Sequence, residues 1–228
     1  MAAPRIDDVA RLVGDPSRAT MLDALMDGRA WTGRELARAA HVTPSTASEH
    51  LARLVKGELV CVVPQGRRRY YRIASTDVAH ALEALMVLAP QTARTRVTQS
   101  AHETQLRRAR TCYDHLAGEL GVAVAQALVR GGALRLDADG AALTPHGAEL
   151  FAELGIDLVA KNPGRALCRP CLDWSERKFH LAGRAGAALA SHAFERGWIG
   201  RVDSTRAVVV SAAGITALRE AFALEWRP

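Results

Sequence analysis

Apolar residues recur at helical spacing from the start of the chain, and this periodicity predicts amphipathic helices. The first helix has its apolar face at Ile6, Val9, Leu12 and Val13 and ends near Gly14. Asp15 and Pro16 form a cap and first turn for a second helix, which ends near Gly28. We expect both helices to pack behind the segment that follows them.

Residues 31–56 predict two further helices joined by a short turn. Thr32 with Glu35 forms a capping box for the first, and a turn at His41 and Val42 ends it. Thr43 then caps a helix over 44–56, with Pro44 at its first position, where a missing N–H costs nothing. Apolar residues on one face of this helix predict burial, and the other face is small or polar: Ser45, Thr46, Ser48, Glu49, His50 and Arg53.

Alternating residues after this helix predict a β-hairpin with strands at 59–63 and 70–73. Its tip, residues 64–69, contains three consecutive arginines. Two helices, a turn and a basic hairpin are typical of a winged helix-turn-helix. A small polar helix face allows close approach to base edges, so we expect the unit to bind double-stranded DNA. The predicted contact residues are Thr43, Ser45, Thr46, Ser48, His50, Arg53, Arg67, Arg68, Arg69 and Tyr71. A protein-contact module with a solvated basic turn is the alternative.

The segments TPSTASEHLARLVKGELV and VPQGRRRYYRI resemble the recognition helix and wing of ArsR/SmtB-type bacterial repressors. The similarity covers roughly residues 6–88. It implies a homodimer that binds a palindromic operator and is released by a metal or another inducer. The two best-known metal sites of that family are not reproduced here. The helix before the recognition helix has no cysteine, and only Asp77 and His80 are available after the wing, at a different spacing.

The remainder of the chain predicts a mainly α fold with small β-hairpins. A helix from Ser75 or Thr76 to Leu88 is followed by Pro90, and residues 91–111 predict a connecting helix. The segments beginning HLAGELG and HLAGRAG introduce two similar stretches, which we interpret as winged-helix-like helix–hairpin–helix repeats. The predicted domains are therefore a winged helix-turn-helix at 1–90, a connecting helix at 91–111 and a duplicated sensing or dimerisation domain at 112–228.

Cysteine and histidine precede each of the two similar stretches. Their spacing predicts a metal site, with Cys112 and His115 on one face of a helix and Cys168 and Cys171 in a C-x-x-C pair. His180 completes the candidate set, which suits zinc or another thiophilic ion. CYDHLAG and CLDWSERKFHLAG resemble blocks of extended ArsR-type regulators. Structural cysteines, or a dithiol redox switch at Cys168 and Cys171, are the alternatives, and Cys61 is expected only to pack.

The charge and composition of the chain favour a nucleic-acid-binding protein over a membrane protein or an enzyme. The chain carries a net charge of +6. Eight Lys/Arg against three Asp/Glu lie in residues 34–72, which predicts salt-sensitive nucleic-acid binding. No apolar run is long enough for a membrane span or a signal peptide, so we expect a cytoplasmic protein with reduced cysteines. No phosphate loop, nucleophile elbow or carboxylate pair accompanies Cys112 and His115, so we expect no enzyme. A ligand-free architectural DNA-binding protein remains an alternative to an inducible repressor.

Overall fold

The computed structural model of the chain describes residues 5–66, 68–89, 101–158, 164–202 and 205–227. Within these residues it contains ten helices and eleven short strands. The chain divides into two compact units, Met1–Leu82 and Glu83–Pro228, so the division lies ahead of the boundary predicted at residue 90. None of the described helices is both long and apolar enough to cross a lipid bilayer.

The first unit is a winged helix-turn-helix. Its elements are α1 (Ile6–Val13), α2 (Pro16–Leu25), β1 (Trp31–Thr32), α3 (Gly33–Ala39), α4 (Pro44–Lys56), β2 (Val60–Gln65), β3 (Arg68–Ile73) and the first half of α5 (Thr76–Leu88). The predicted caps are confirmed. Asp15 accepts a hydrogen bond from the Arg18 amide, Thr32 forms a capping box with Glu35, and Thr43 accepts from the Thr46 amide. Each of these caps satisfies an amide that has no partner within its helix.

The wing is longer than predicted and has a third strand. The antiparallel sheet has the order β1-β3-β2, with Trp31 of β1 opposite Tyr71. In β2 and β3 the pairing continues outward to Gln65 and Arg68, where the prediction had placed an irregular tip. Arg68 and Arg69 are therefore strand residues, and their positions are set by backbone pairing.

The core of the first unit confirms the predicted inner face of α4. Ala47, Leu51 and Leu54 are buried among the apolar side chains of α2, α3 and β2. The predicted burial of the α1 face is wrong for its first half, because Ile6 is 87% exposed and Val9 is 44% exposed. Only the C-terminal end of α1 packs on this core.

The second unit contains the remaining elements in a repeated order. After α6 (Ala101–Arg108), the sequence hairpin, helix, hairpin, helix occurs twice. The first run is β4 (Arg110–Cys112), β5 (His115–Ala117), α7 (Gly118–Arg130), β6 (Leu134–Leu136), β7 (Ala141–Leu143) and α8 (Pro145–Glu153). The second run is β8 (Arg169–Leu172), β9 (Phe179–Ala182), α9 (Gly183–Glu195), β10 (Ile199–Arg201), β11 (Val208–Val210) and α10 (Ala212–Phe222).

Two expectations for this unit are corrected. The connecting helix was predicted through residue 111, but α6 ends at Arg108 and residues 110–112 form a strand; residues 90–100 lie outside the described part of the chain. Cys112 and His115 were expected on one face of a helix, whereas both lie on strands, as does His180. The helices begin only at Gly118 and Gly183, whose positive φ angles of 72° and 85° separate each strand from the helix that follows.

Two further glycines set how closely each helix approaches the strand before it. A Cβ atom at Gly121 would lie 2.4 Å from the Leu116 carbonyl oxygen, and one at Gly186 would lie 2.2 Å from that of Leu181. The Gly186 position also lies 3.2 Å from the Cβ of His115. The small residues therefore allow α7 and α9 to pack directly against the strands that carry the two histidines.

Replacing Gly121 by alanine should destabilise the second unit. The added methyl group meets a backbone carbonyl that has no free rotation, so we expect a loss of about 1–3 kcal/mol in the free energy of unfolding. Urea denaturation followed by circular dichroism measures this. Gly140→Ala is the matched control, because nothing lies within 4 Å of its Cβ position. Equal stabilities of the two variants would contradict the close approach.

Candidate metal centre and nucleic-acid interface

Two hairpins of the second unit bring together two cysteines and two histidines. Cys112 pairs with His115 across β4 and β5, and Cys171 pairs with His180 across β8 and β9. Residues directly opposite in an antiparallel pair project from the same face, so each hairpin presents one sulfur and one nitrogen. The four ligand atoms all lie within 4.8 Å of one another.

The spacing of these four atoms fits a four-coordinate metal ion. The two Sγ atoms are 4.0 Å apart, and the two Nε2 atoms are 3.1 Å apart. A tetrahedral zinc ion with ordinary bond lengths needs separations of about 3.8 Å between sulfurs and about 3.3 Å between nitrogens. The differences are a few tenths of an ångström. Two thiolates and two imidazoles are also a donor set that zinc and related thiophilic ions favour.

A carboxylate lies beside the other nitrogen of each imidazole. His115 Nδ1 is 3.2 Å from Asp114 Oδ1, and His180 Nδ1 is 3.3 Å from Asp173 Oδ2. Carboxylates in this position favour a proton on Nδ1, which leaves the lone pair on Nε2. The two Nε2 atoms face each other at 3.1 Å, so they can share one proton in a hydrogen bond or offer both lone pairs to one metal ion.

Asp173 is fully buried and is held by several donors. Its Oδ2 accepts from Arg110 Nη2 at 2.9 Å and from the Gly118 amide at 2.8 Å. Its Oδ1 accepts from the amide and hydroxyl groups of Ser175. Burial alone would raise the pKa of Asp173, but His180 and Arg110 outweigh it and hold that pKa far below its ordinary value. Asp173 is therefore a permanent anion that orients His180.

Asp114 has the corresponding role for His115. It forms a two-pronged ion pair with the Arg165 guanidinium. Burial raises the pKa of Asp114, yet the hydrogen bonds from His115 and Arg165 lower it well below the ordinary value. Both histidines are therefore positioned by carboxylates that an arginine in turn fixes.

The two thiols have opposite electrostatic environments. The neighbouring Cys112 thiol, together with His115 and His180, lowers the pKa of Cys171 far below that of a free thiol. Cys171, burial and Glu83 raise the pKa of Cys112 well above it. Cys112 accordingly keeps its proton and donates it to Glu83 Oε2 at 2.8 Å.

The outer face of α4 has the chemistry expected of a DNA-reading helix. Ser45, Ser48 and Arg53 are exposed on it. The Thr43 hydroxyl contacts those of Ser45 and Thr46 at 2.9 Å each, so a row of hydroxyls lies at the beginning of the helix. In the wing, Arg68 and Arg69 are both exposed, while Arg67 lies outside the described residues.

A known protein is similar to this chain over nearly its whole length. The chain is 42% identical over 212 residues to an uncharacterized HTH-type transcriptional regulator, YdfF of Bacillus subtilis (strain 168). This match covers 92% of the present chain and 94% of YdfF. Residues 15–61, which include α2, α3 and α4, match the family described as "Bacterial regulatory protein, arsR family".

The chain belongs to the ArsR family of bacterial transcriptional regulators.

Solved structures match a smaller part of the chain. The homodimeric winged helix-turn-helix DNA-binding domain of Mb0332 from Mycobacterium bovis is 32% identical, with a TM-score of 0.33, and covers 39% of this chain and 89% of that one. The cadmium metal sensor CmtR from Mycobacterium tuberculosis is 35% identical, with a TM-score of 0.32, and covers 41% of this chain and 98% of that one.

Two of the residues predicted to contact DNA, His50 and Tyr71, are partly buried in this ArsR-family chain. His50 was assigned to the outer face of α4, but its side chain is 14% exposed and its Nδ1 lies 3.3 Å from Arg18 Nη1 of α2. Tyr71 is half-buried and packs on the core of the first unit. Both side chains therefore contact a neighbouring element of the first unit, and their predicted contact with DNA stays a prediction.

The predicted metal ligands converge with one exception. Cys112, His115, Cys171 and His180 form the cluster, but on strands and not on a helix. Cys168 belongs instead to the apolar core of the second unit, where burial raises the pKa of its thiol. Cys61 is half-buried in β2, and all four cysteines are free.

Three acidic residues around the cluster were not assigned by the sequence analysis. Asp114 and Asp173 orient the histidines, and Glu83 accepts from Cys112. An aspartate next to His115 and another two residues after Cys171 could have suggested the first two. Nothing local in the sequence connects Glu83 with a thiol twenty-nine residues later.

Removing the Asp173 side chain should strongly destabilise the metal-free second unit. Asp173→Ala leaves the buried Arg110 guanidinium without its anion, which costs about 3–5 kcal/mol of unfolding free energy. Chemical denaturation of protein treated with a chelator gives this number. Asp139→Ala, in the turn between β6 and β7, should change stability by less than about 0.5 kcal/mol. A small effect at both positions would show that Asp173 does not hold the unit together.

Proposed function

We propose that this ArsR-family regulator is a cytoplasmic, homodimeric repressor that binds a palindromic operator and is released by a thiophilic metal ion. The ion is held by Cys112, His115, Cys171 and His180. The observation that carries the proposal is the convergence of four ligand atoms within 4.8 Å, with both histidine rings braced by carboxylates.

The DNA-binding surface proposed here consists of the outer face of α4 and the wing. Thr43, Ser45, Thr46, Ser48 and Arg53 contact bases or phosphates from α4, and Arg67, Arg68 and Arg69 contact the flanking backbone. The exposed hydroxyls and arginines support this assignment. The position of α4 in a helix-turn-helix further suits insertion of its first turns into the major groove.

Two substitutions should separate general affinity from sequence preference. Arg68→Ala removes one phosphate contact, so it should weaken binding to all duplexes alike and reduce the slope of log K against log salt by about 1. Ser45→Ala should change preference among operator variants by about 1–3 kcal/mol while leaving that slope intact. Fluorescence anisotropy with promoter DNA of the protein's own gene measures both. Unchanged affinity and slope in Arg68→Ala would remove the wing from the DNA.

A homodimer is supported by apolar surface in the first unit. Ile6 and Val9 are exposed on α1 although they form one apolar face of that helix. Contiguous exposed apolar residues on a small protein are typical of an interaction surface. A second copy of the chain is the partner that a palindromic operator requires, because the symmetry of the DNA then matches that of the protein.

The internal order of the second unit supports a duplication. Each half runs hairpin, helix, hairpin, helix, and Gly121 and Gly186 make the same close approach to the strand before them. We interpret the halves as two winged-helix-like copies that have a sensing role. Each contributes one cysteine and one histidine, so the metal site forms only from both.

Loss of a ligand should abolish the metal response, whereas loss of the neighbouring thiol should not. We expect zinc to weaken operator binding by wild-type protein about tenfold or more, in the range usual for coupled sites. Cys171→Ser should bind operator normally and lose the zinc response. Cys168→Ser is the matched control, since its sulfur lies in the apolar core, and it should keep the response. Chelator competition and anisotropy measure the two effects; a response that survives in Cys171→Ser would overturn the assigned ligands.

A thiol redox switch is the second candidate function, and the short distance between two cysteine sulfurs favours it. Cys112 and Cys171 Sγ atoms lie 4.0 Å apart, and Cys171 has the lowered pKa of a reactive thiol. The pair differs from the Cys168 and Cys171 pair expected from the sequence. An oxidant that weakens operator binding reversibly, in metal-free protein where zinc has no effect, would favour this candidate over metal release.

A further inference from the structure

Helix α5 has different surroundings along its length. Ala79 and Leu82, in its first half, belong to the apolar core of the DNA-binding unit. From Glu83 onward its residues belong to the second unit, which contains the metal cluster. The side chains of α5 therefore pack in the core of the first unit up to Leu82, and its residues from Glu83 onward belong to the second unit.

Glu83 of α5 forms a hydrogen bond with a residue of the metal cluster. It is buried, its Oε2 accepts from Cys112 Sγ at 2.8 Å, and its Oε1 accepts from Arg206 Nη1 at 2.9 Å. The contact with Cys112 depends on the thiol proton, because a carboxylate has only acceptor atoms to offer. Glu83 is therefore held by a group whose chemistry must change when the cluster takes up an ion.

Arg177 links the C-terminal end of α5 to the hairpin formed by β8 and β9. It lies in the loop between β8 and β9, the strands that carry Cys171 and His180. Its guanidinium donates to the carbonyl oxygens of Val87 and, at 2.8 Å, of Ala89. A cation at the C-terminal carbonyls of a helix is favourable for its dipole. Both hairpins of the cluster thus contact residues 83–89.

We propose that Glu83, with Arg177, transmits occupancy of the metal cluster to α5 and through it to the DNA-binding unit. This inference rests on the proposed metal release. A Cys112 sulfur that binds an ion would no longer donate to Glu83, since the metal would take the place of the thiol proton. Glu83 would then lose this contact, and α5 would lose its hydrogen bond to β4.

The isosteric change Glu83→Gln tests this coupling. An amide N–H can donate to a thiolate, so the variant keeps a favourable contact when the ion is present. We expect it to bind about one zinc ion per chain at least as tightly as wild type, since the donor set is intact. The weakening of operator binding by zinc should fall from about tenfold to less than about threefold. Glu149→Gln, on the exposed side of α8, is the matched control and should retain the full response.

Arg177→Ala provides a second test should Glu83→Gln fold poorly. Its side chain is exposed, so the substitution leaves the core unchanged, and it should also reduce the zinc response without lowering zinc affinity. Arg130→Ala, exposed at the end of α7, is its control. Hydrogen exchange supplies an independent readout: zinc should accelerate exchange of amides in residues 83–89 of wild type and leave them unchanged in Glu83→Gln.

The possible failures are distinguishable. If zinc leaves operator binding by the wild type unchanged, the proposed metal release fails, and the coupling fails with it. If zinc releases the wild type and both the Glu83 and Arg177 variants equally, the metal release stands and the role of α5 is overturned. A variant that binds zinc, releases DNA poorly and shows no change of exchange in residues 83–89 supports the inference.

Discussion

The structure of the second unit depends on keeping two imidazole nitrogens 3.1 Å apart in a dry interior. At this distance the two nitrogens can share one proton in a hydrogen bond, and a metal ion placed between them would use both lone pairs. Several surrounding features hold the two rings in this arrangement. Asp173 is fixed by Arg110 and a backbone amide, Asp114 is fixed by Arg165, and Gly186 leaves room for the His115 side chain.

The two units differ in the chemistry of their side chains. Excess positive charge and exposed hydroxyls are concentrated in the winged helix-turn-helix. Across the described residues, the group of side chains suited to a metal ion lies in the second unit. The small polar residues that base contact requires and the four candidate metal ligands therefore belong to different units.

Local signals in the sequence predicted local structure well. Caps at Asp15, Thr32 and Thr43, and the apolar face of α4, are encoded within a few residues and appear as expected. The predictions were wrong where the same spacing between two residues suits two different secondary structures. Cys112 and His115 are three residues apart, which suits both a helical turn and the two ends of a tight hairpin; Tyr113, with a φ of 65°, adopts the hairpin. Contacts between residues far apart in the sequence could not be predicted either. Only the structure shows that Cys112, and not Cys168, lies beside Cys171. Only the structure shows that His50 turns toward Arg18.

The uneven burial of the cluster bears on how an ion would reach it. Cys112, His115 and His180 are at most 1% exposed, whereas Cys171 is only partly buried. An incoming ion would therefore meet the Cys171 side of the cluster first. Transfer from this sulfur to the three buried ligands would then make loading a stepwise process, in which one residue receives the ion and the others retain it.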